Sequence, residues 1–191
     1  MVNIVIFASG SGSNAGKIMD HFKGHPVVKI VAVLTNNPKA GVIERAKQRN
    51  TEVLVFDRND FYNSTKVADF LEEKNIDIVV LAGFLWLVPA QMLGRKYDII
   101  NIHPALLPKY GGAGMYGKYV HEAVKENNEN FSGITIHYVN KEYDRGEIIF
   151  QKQCELASSD TPLEIAAKVL VLEHQYYPRV IEDLAVKRNK I

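Results

Sequence analysis

Six residues, Val2-Asn3-Ile4-Val5-Ile6-Phe7, run into a glycine-rich turn, Ser9-Gly10-Ser11-Gly12-Ser13-Asn14, and then into a helical segment from about Ala15 to Phe22. A short β-branched run of this kind reads as a buried strand. The same alternation continues. Val27 to Leu34 is a second apolar run, Ala40 to Arg49 is helical, and Val53 to Phe56 is a short strand. Phe61 to Lys74 spaces Phe61, Val67, Phe70 and Leu71 as one face of a single helix. Asp77 to Leu81 and Tyr97 to Ile102 are further strands. Strands alternating with helices predict βαβ units, and so an α/β fold. The expected sheet is open, mostly parallel and Rossmann-like, with helices on both faces.

After His103 the pattern changes. Gly111-Gly112-Ala113-Gly114 reads as a flexible loop, and Tyr116 to Asn127 as a helix. Ser132 to Val139 and Glu147 to Leu156 then form two strands joined by Asn140 to Gly146, which predicts an antiparallel addition to the sheet. A last helix starts near Thr161-Pro162-Leu163-Glu164, where Thr161 can cap and Pro162 suits the first turn.

Composition narrows the function. The chain has 191 residues, 47% of them hydrophobic, which suits one domain. Its net charge is +1, too small a field to hold a polyanion, so nucleic acid is not expected as the partner. One cysteine, Cys154, permits no internal disulfide and points to a reducing compartment, expected to be the cytoplasm. Met1 to Phe7 has no basic segment before its apolar run, so no secretory signal is expected. The uncharged stretch Ile78 to Met92 is interrupted by Gly83, Pro89 and Gln91, and no membrane span is expected.

Glycines in the first turn bring backbone N–H groups close to a guest, and the helix start adds partial positive charge, so an anion fits there. A plain tight turn capped by Ser13 or Asn14 is the alternative. A Walker-type loop fails, because Gly16-Lys17 is followed by Ile18 and Ser11 stands where the first glycine belongs. Gly10-x-Gly12-x-x-Ala15 matches a dinucleotide fingerprint, but Thr35-Asn36-Asn37 offers no acid for a ribose. A single phosphate monoester is the better guest.

Asn101-Ile102-His103-Pro104 ends a strand. Residues i and i+2 share a face, so Asn101 and His103 point together while Ile102 turns to the core. An amide donor beside an imidazole can stabilise an oxyanion and move a proton. A structural histidine near a turn is the competing reading. Asp144 lies in Asp-Arg-Gly, a turn composition, yet beside His103 it would raise the imidazole pKa. His137 alternates along a strand and could face either side. His21, His25 and His121 read as surface residues, and Cys154 as structural. No spacing resembles a metal site.

Several segments together resemble the phosphoribosylglycinamide formyltransferase family, folate-dependent enzymes of purine synthesis. They are Phe7 to Asn14, Val80 to Phe84, Asn101 to Tyr110, Gly133 to Val139, Asp144-Arg145-Gly146 and Leu172 to Pro178. The resemblance implies a one-carbon group transferase of formyltransferase fold. In it the amine of 5-phosphoribosylglycinamide attacks the formyl carbon of the co-substrate 10-formyltetrahydrofolate, without a metal. It implies that Asn101 and His103 stabilise the tetrahedral intermediate, with His103 also the proton donor. Asp144 tunes His103 and helps remove the amine proton. Gly12, Ser13 and Asn14 cradle the ribose phosphate, and Glu173 contacts the ribose hydroxyls. Leu85, Trp86, Leu87 and Val88 line the pterin pocket, with backbone of Asn140 to Asp144 and with Asn101. From composition alone, Phe84 to Val88 reads as core. The first hundred residues or so become a phosphate-binding half and the rest a catalytic and folate-binding half. Partners are then small molecules, with the chain a monomer or homodimer.

Two segments depart from the family pattern. Gly111-Gly112-Ala113-Gly114-Met115 follows Lys109-Tyr110 where many members have Pro-Gly, so the shape of that loop is its own. Asp57-Arg58-Asn59 offsets by one position an arginine that some members place near the folate tail, which leaves Arg58 outside the expected site. A tRNA-directed relative is expected to need a further C-terminal domain and more positive charge, and a formylfolate hydrolase an N-terminal regulatory domain. A non-catalytic sugar-phosphate-binding module is the remaining alternative.

Overall fold

The structure, a computed structural model, describes residues 1–189. In chain order the elements are β1 (Val2–Phe7), α1 (Ser13–His21), β2 (Val28–Thr35), α2 (Val42–Lys47) and β3 (Glu52–Val55). Then come α3 (Arg58–Tyr62), α4 (Lys66–Glu73), β4 (Ile78–Leu81), β5 (Asp98–His103) and α5 (Lys118–Glu126). The chain closes with β6 (Phe131–Tyr138), β7 (Ile148–Glu155) and α6 (Pro162–Arg188). The strands form one sheet in the order β3-β2-β1-β4-β5-β6-β7. β1 to β5 run parallel, and β6 and β7 are added antiparallel, as the sequence pattern predicts.

Alternation along the strands builds two cores. Ile4, Ile6, Val80, Ile100 and Ile102 face α1, α2, α5 and α6, meeting Ile18, Val42, Val124 and Ile181. Val5, Phe7, Leu34, Val79 and Ile99 face the opposite side, against Phe61, Val67 and Leu71. Most helices here have five to nine residues and would not persist alone. Each fully buried side chain of this size contributes roughly 1.5–3 kcal/mol, so packing on the sheet holds them.

Two boundaries differ from expectation. The single helix over Phe61 to Lys74 is instead α3 and α4, separated by Asn63-Ser64-Thr65. Asp57 and Asp60 close a capping box that starts α3 early, and Ser64 donates its hydroxyl to the Asp60 carbonyl as the chain turns. Helix α1 starts at Ser13, and the residue before it is Gly12 in the left-handed region with no side-chain cap, so neither Ser13 nor Asn14 caps it. At α6 the expected cap is present: Thr161 and Glu164 form a capping box and Pro162 opens the helix.

The strand order reverses beside β1, where the chain returns from β3 to place β4 on its other edge. That switch point leaves a crevice at the carboxyl ends of β1, β4 and β5. Tyr177 fixes α6 over it. The ring is fully buried, and its hydroxyl donates to the carbonyls of Leu81 at 2.9 Å and Ile100 at 3.4 Å. Among the described residues no helix is long and apolar enough to cross a membrane.

Candidate active site

A cavity of about 540 Å³ occupies the crevice. At one end Asn14, the last residue of the glycine turn, lines it, and the rest of the turn lies next to Asn14 in sequence. The carbonyls of Ser9, Gly10 and Ser11 accept from Asn37 Nδ2, the Val42 N–H and Arg45 Nε, all from the β2–α2 side. In a planar trans peptide the next N–H points the opposite way, so those of Gly10, Ser11 and Gly12 face away from α2. The first N–H groups of α1 have no acceptor within the helix, which completes a concave donor surface. Gly12 has φ +70°, and a Cβ there would lie 2.5 Å from the Val42 side chain, so only glycine fits. Asn14, on the cavity wall, donates to Glu173 Oε2 at 2.7 Å, while its own buried Oδ1 has no partner among the described residues. Burial raises the Glu173 pKa, and the Asn14 hydrogen bond only partly offsets this. Glu173 sits one turn before Tyr177 on α6, so the buried tyrosine anchor sets its position.

The other end of the cavity holds Asn101, His103 and Asp144 together. Asn101 and His103 occupy alternate positions at the end of β5, opposite His137 and Thr135 of β6. Opposed residues share a face, so the antiparallel pairing delivers His137 beside Asn101. The His137 ring donates Nδ1–H to the Tyr138 carbonyl at 2.8 Å, and its Nε2 lies 3.2 Å from Asn101 Nδ2 and 3.5 Å from Asp144 Oδ1. The Asn101 amide also stands 3.5 Å from Asp144 Oδ1. His103 donates Nε2–H to the Tyr110 carbonyl at 2.7 Å and presents Nδ1 to Asp144 Oδ2 at 3.5 Å. The Gly112 N–H donates to the same Oδ2 at 2.9 Å. Thr135 pins the turn after His103, accepting from the Leu107 N–H and donating to the Ala105 carbonyl.

Asp144 has φ +54°, a conformation that aspartate tolerates better than most residues. Turn chemistry and carboxylate placement therefore coincide at one residue. Burial acts to raise the Asp144 pKa, but hydrogen bonding to His137, the charge of His103 and the Gly112 N–H outweigh it and hold the carboxyl below its usual range. His103 departs from expectation: burial lowers its pKa, and the opposing pull of Asp144 does not overcome it. The residue is 3% exposed, so the cost of desolvating a cation exceeds the attraction of one carboxylate.

A slot leads out between these ends. Leu85, Trp86, Leu87 and Val88 line it, with Glu142, Tyr143 and Asp144 across from them. The segment is partly core, as composition implies: Phe84 and Val88 are buried, while Leu85 is 49% exposed at the rim. Arg58 lies over the rings of Tyr62 and Trp86, at 5.1 and 5.7 Å from their centroids. The slot is apolar, with a few polar groups at its base, and so suits a flat heterocycle.

His137, which by strand alternation alone could face either side, joins the cluster through the strand-pairing register. His121, which reads from the sequence as a surface residue, is instead buried and lines the cavity, its Nδ1 without a partner among the described residues. His121 lies on the sheet-facing side of α5 with Val120 and Val124, a periodicity that could have flagged it. His25 is half-buried and accepts from the N–H groups of Val27 and Val28, whereas His21 is exposed. Cys154 lies in β7, half-buried, with its thiol pKa raised by burial.

A sequence profile described as formyl transferase matches residues 2–181. The chain is 39% identical to the chloroplastic phosphoribosylglycinamide formyltransferase of Arabidopsis thaliana, over 98% of this chain and 66% of that protein. It therefore spans about two thirds of the length of that plant relative. It is 34% identical to the phosphoribosylglycinamide formyltransferase of Bacillus subtilis, over 100% of this chain and 98% of that one. Among solved structures, glycinamide ribonucleotide transformylase 1 from Symbiobacterium toebii superposes with a TM-score of 0.88 at 30% identity, covering 98% of this chain and 89% of that one.

Proposed function

The chain belongs to the formyl transferase family, and we propose that it transfers the formyl group of 10-formyltetrahydrofolate to the amine of 5-phosphoribosylglycinamide, a step of purine synthesis. The observation that carries this reading is Asp144, which faces both Asn101 and His103 at 3.5 Å on the wall of the cavity that Asn14, the last residue of the glycine turn, also lines. An acid–base set and an apolar slot in one cavity, with the glycine turn reaching it at Asn14, match a sugar phosphate and a flat one-carbon donor.

The folate co-substrate supplies an electrophilic formyl carbon. The amine nitrogen forms a bond to that carbon, the bond from carbon to the folate nitrogen breaks, and one proton passes from the amine to the leaving nitrogen. Asn101 Nδ2–H and a protonated His103 stabilise negative charge on the formyl oxygen. The Asn101 amide turns one of its two hydrogens away from His137 or Asp144 to do so. His103 Nδ1 is the atom that gives up a proton, and Asp144 both favours the charged imidazole and accepts the amine proton. Gly12, Ser13 and Asn14 hold the phosphate through backbone N–H groups. The unpartnered Asn14 Oδ1 and the Glu173 carboxyl serve the ribose hydroxyls. Leu85, Trp86, Leu87 and Val88 hold the pterin and keep water from the formyl carbon. The single unpaired Cys154 supports a reducing compartment such as the cytoplasm.

The test mixes purified protein with glycinamide ribonucleotide and a 10-formyl folate, and follows the absorbance change as the folate loses its formyl group. The expected result is turnover that needs both substrates and falls in His103→Ala and Asp144→Asn with the fold intact. Folate loss without the amine would instead identify a hydrolase. Phosphate-ester binding with no turnover would identify a binding module.

A further inference from the structure

His103 is held from behind by a group outside the reaction. Its Nε2–H donates to the main-chain carbonyl of Tyr110, the shortest hydrogen bond the ring makes, at 2.7 Å. Tyr110 itself adopts φ +57°. For a bulky, non-glycine residue this is an uncommon, strained conformation that persists only where its surroundings enforce it. The surroundings are specific. The Tyr110 hydroxyl donates to Glu129 Oε1 at 2.8 Å, and Lys109 Nζ donates to the same oxygen at 2.7 Å. The Tyr110 ring packs on the core that α1, α5 and α6 share. Beyond the ring lies Glu129, in the turn between α5 and β6, away from the cavity lining.

The consequence lies in which ring nitrogen faces the substrate. A carbonyl can only accept, so the Tyr110 contact keeps hydrogen on Nε2 and turns Nδ1 to Asp144 and the cavity. Were the Tyr110 carbonyl to turn away, as an unstrained backbone would allow, hydrogen could settle on either nitrogen and the ring could rotate.

We propose that Glu129 and Tyr110 are positioning residues for the reaction: the Glu129 carboxylate, from outside the cavity, holds the Tyr110 side chain so that its carbonyl locks His103 with Nδ1 toward Asp144. This rests on the reading of His103 given above. Neither residue touches substrate. Tyr110 remains a neutral donor throughout, because burial and Glu129 push its pKa up to about 12.

The experiment compares Tyr110→Phe, Glu129→Ala and Glu129→Gln by steady-state kinetics, alone and in a His103→Ala background. The ring nitrogens of His103 are read by 15N NMR. In Tyr110→Phe and Glu129→Ala, kcat falls about five- to tenfold, the loss expected when one orienting hydrogen bond is removed, while KM for both substrates holds. Glu129→Gln, which keeps an acceptor for the tyrosine, recovers most of the rate. In the His103→Ala background the same substitutions change nothing further, and NMR shows the neutral ring losing its preference for hydrogen on Nε2. An unchanged kcat and ring spectrum in folded Tyr110→Phe and Glu129→Ala overturns the inference while leaving the role of His103 standing. An equal loss in the His103→Ala background also overturns it, since the effect then does not pass through the imidazole. If His103→Ala alone turns over normally, the reading of His103 fails, and the NMR comparison alone then decides whether Tyr110 orients the ring. If Tyr110→Phe does not fold, the two Glu129 variants carry the test.

Discussion

Replacing Asp144 by asparagine removes one charge and little else. The carboxylate stands 3.5 Å from His103 Nδ1, and the two side chains are 10% and 4% exposed, so solvent and salt screen the pair weakly. An opposite charge at this range moves an imidazole by about one to three pH units. Burial already holds His103 below its ordinary value, and Asp144 is the largest influence opposing it. In Asp144→Asn the pKa therefore falls further. In the proposed mechanism the rate depends on protonated His103, so the falling limb of kcat moves to lower pH by about one to three units, and kcat above that limb drops about tenfold per unit. The assay is kcat against pH over about pH 5 to 9 with both substrates saturating. Folding must be followed alongside. The native state binds the His103 proton less tightly than the unfolded chain, so stability contributed by this site is lost as pH falls below about 6.5, and more so in the variant. A thermal melt at each pH separates that loss from the kinetic one. A reduced rate with an unmoved limb would refute the coupling of His103 and Asp144.

Other substitutions probe the rest of the cavity. Gly12→Ala places a Cβ 2.5 Å from Val42 at φ +70°, so the turn must shift; KM for the ribonucleotide should rise about tenfold or more, measured by initial rates, and an unchanged KM would remove the turn from the phosphate site. Trp86→Ala opens the apolar slot and should raise KM for the folate while sparing that for the ribonucleotide; titrating a folate analogue by fluorescence checks it. Tyr177→Phe leaves the Leu81 and Ile100 carbonyls without their donor in the core and should cost about 1–3 kcal/mol in urea unfolding, with no loss meaning the hydroxyl does not anchor α6.

Much of this was legible in the sequence because it depends on local pattern. The β-branched runs locate the parallel strands, since a strand buried on both faces must be apolar throughout. The step of two between Asn101 and His103 puts them on one face before any tertiary contact is known. Thr161, Pro162 and Glu164 mark the start of α6 by capping chemistry alone. What was hidden depends on pairing. His137 joins Asn101 only through the β5–β6 register. Asp144 reaches His103 only because a hairpin returns the chain over the end of β5. The pKa of His103 was expected to rise on its charged neighbour, yet it falls, because burial is a property of the whole fold. The helix over Phe61 to Lys74 divides because Asp57 and Asp60 cap a short turn, a contest between local hydrogen bonds and apolar spacing. The Tyr110 carbonyl was unreadable as well, since a main-chain atom has no sequence signature.

The central claim is that this cavity moves a formyl group onto an amine. The most direct test supplies 10-formyl folate labelled with 13C at the formyl carbon, together with glycinamide ribonucleotide, and follows the label by NMR. The account predicts that the label leaves the folate and appears as a formamide on the glycinamide nitrogen, at a rate lowered by His103→Ala and Asp144→Asn. Label recovered as formate, or remaining on the folate in the presence of folded protein, would contradict it.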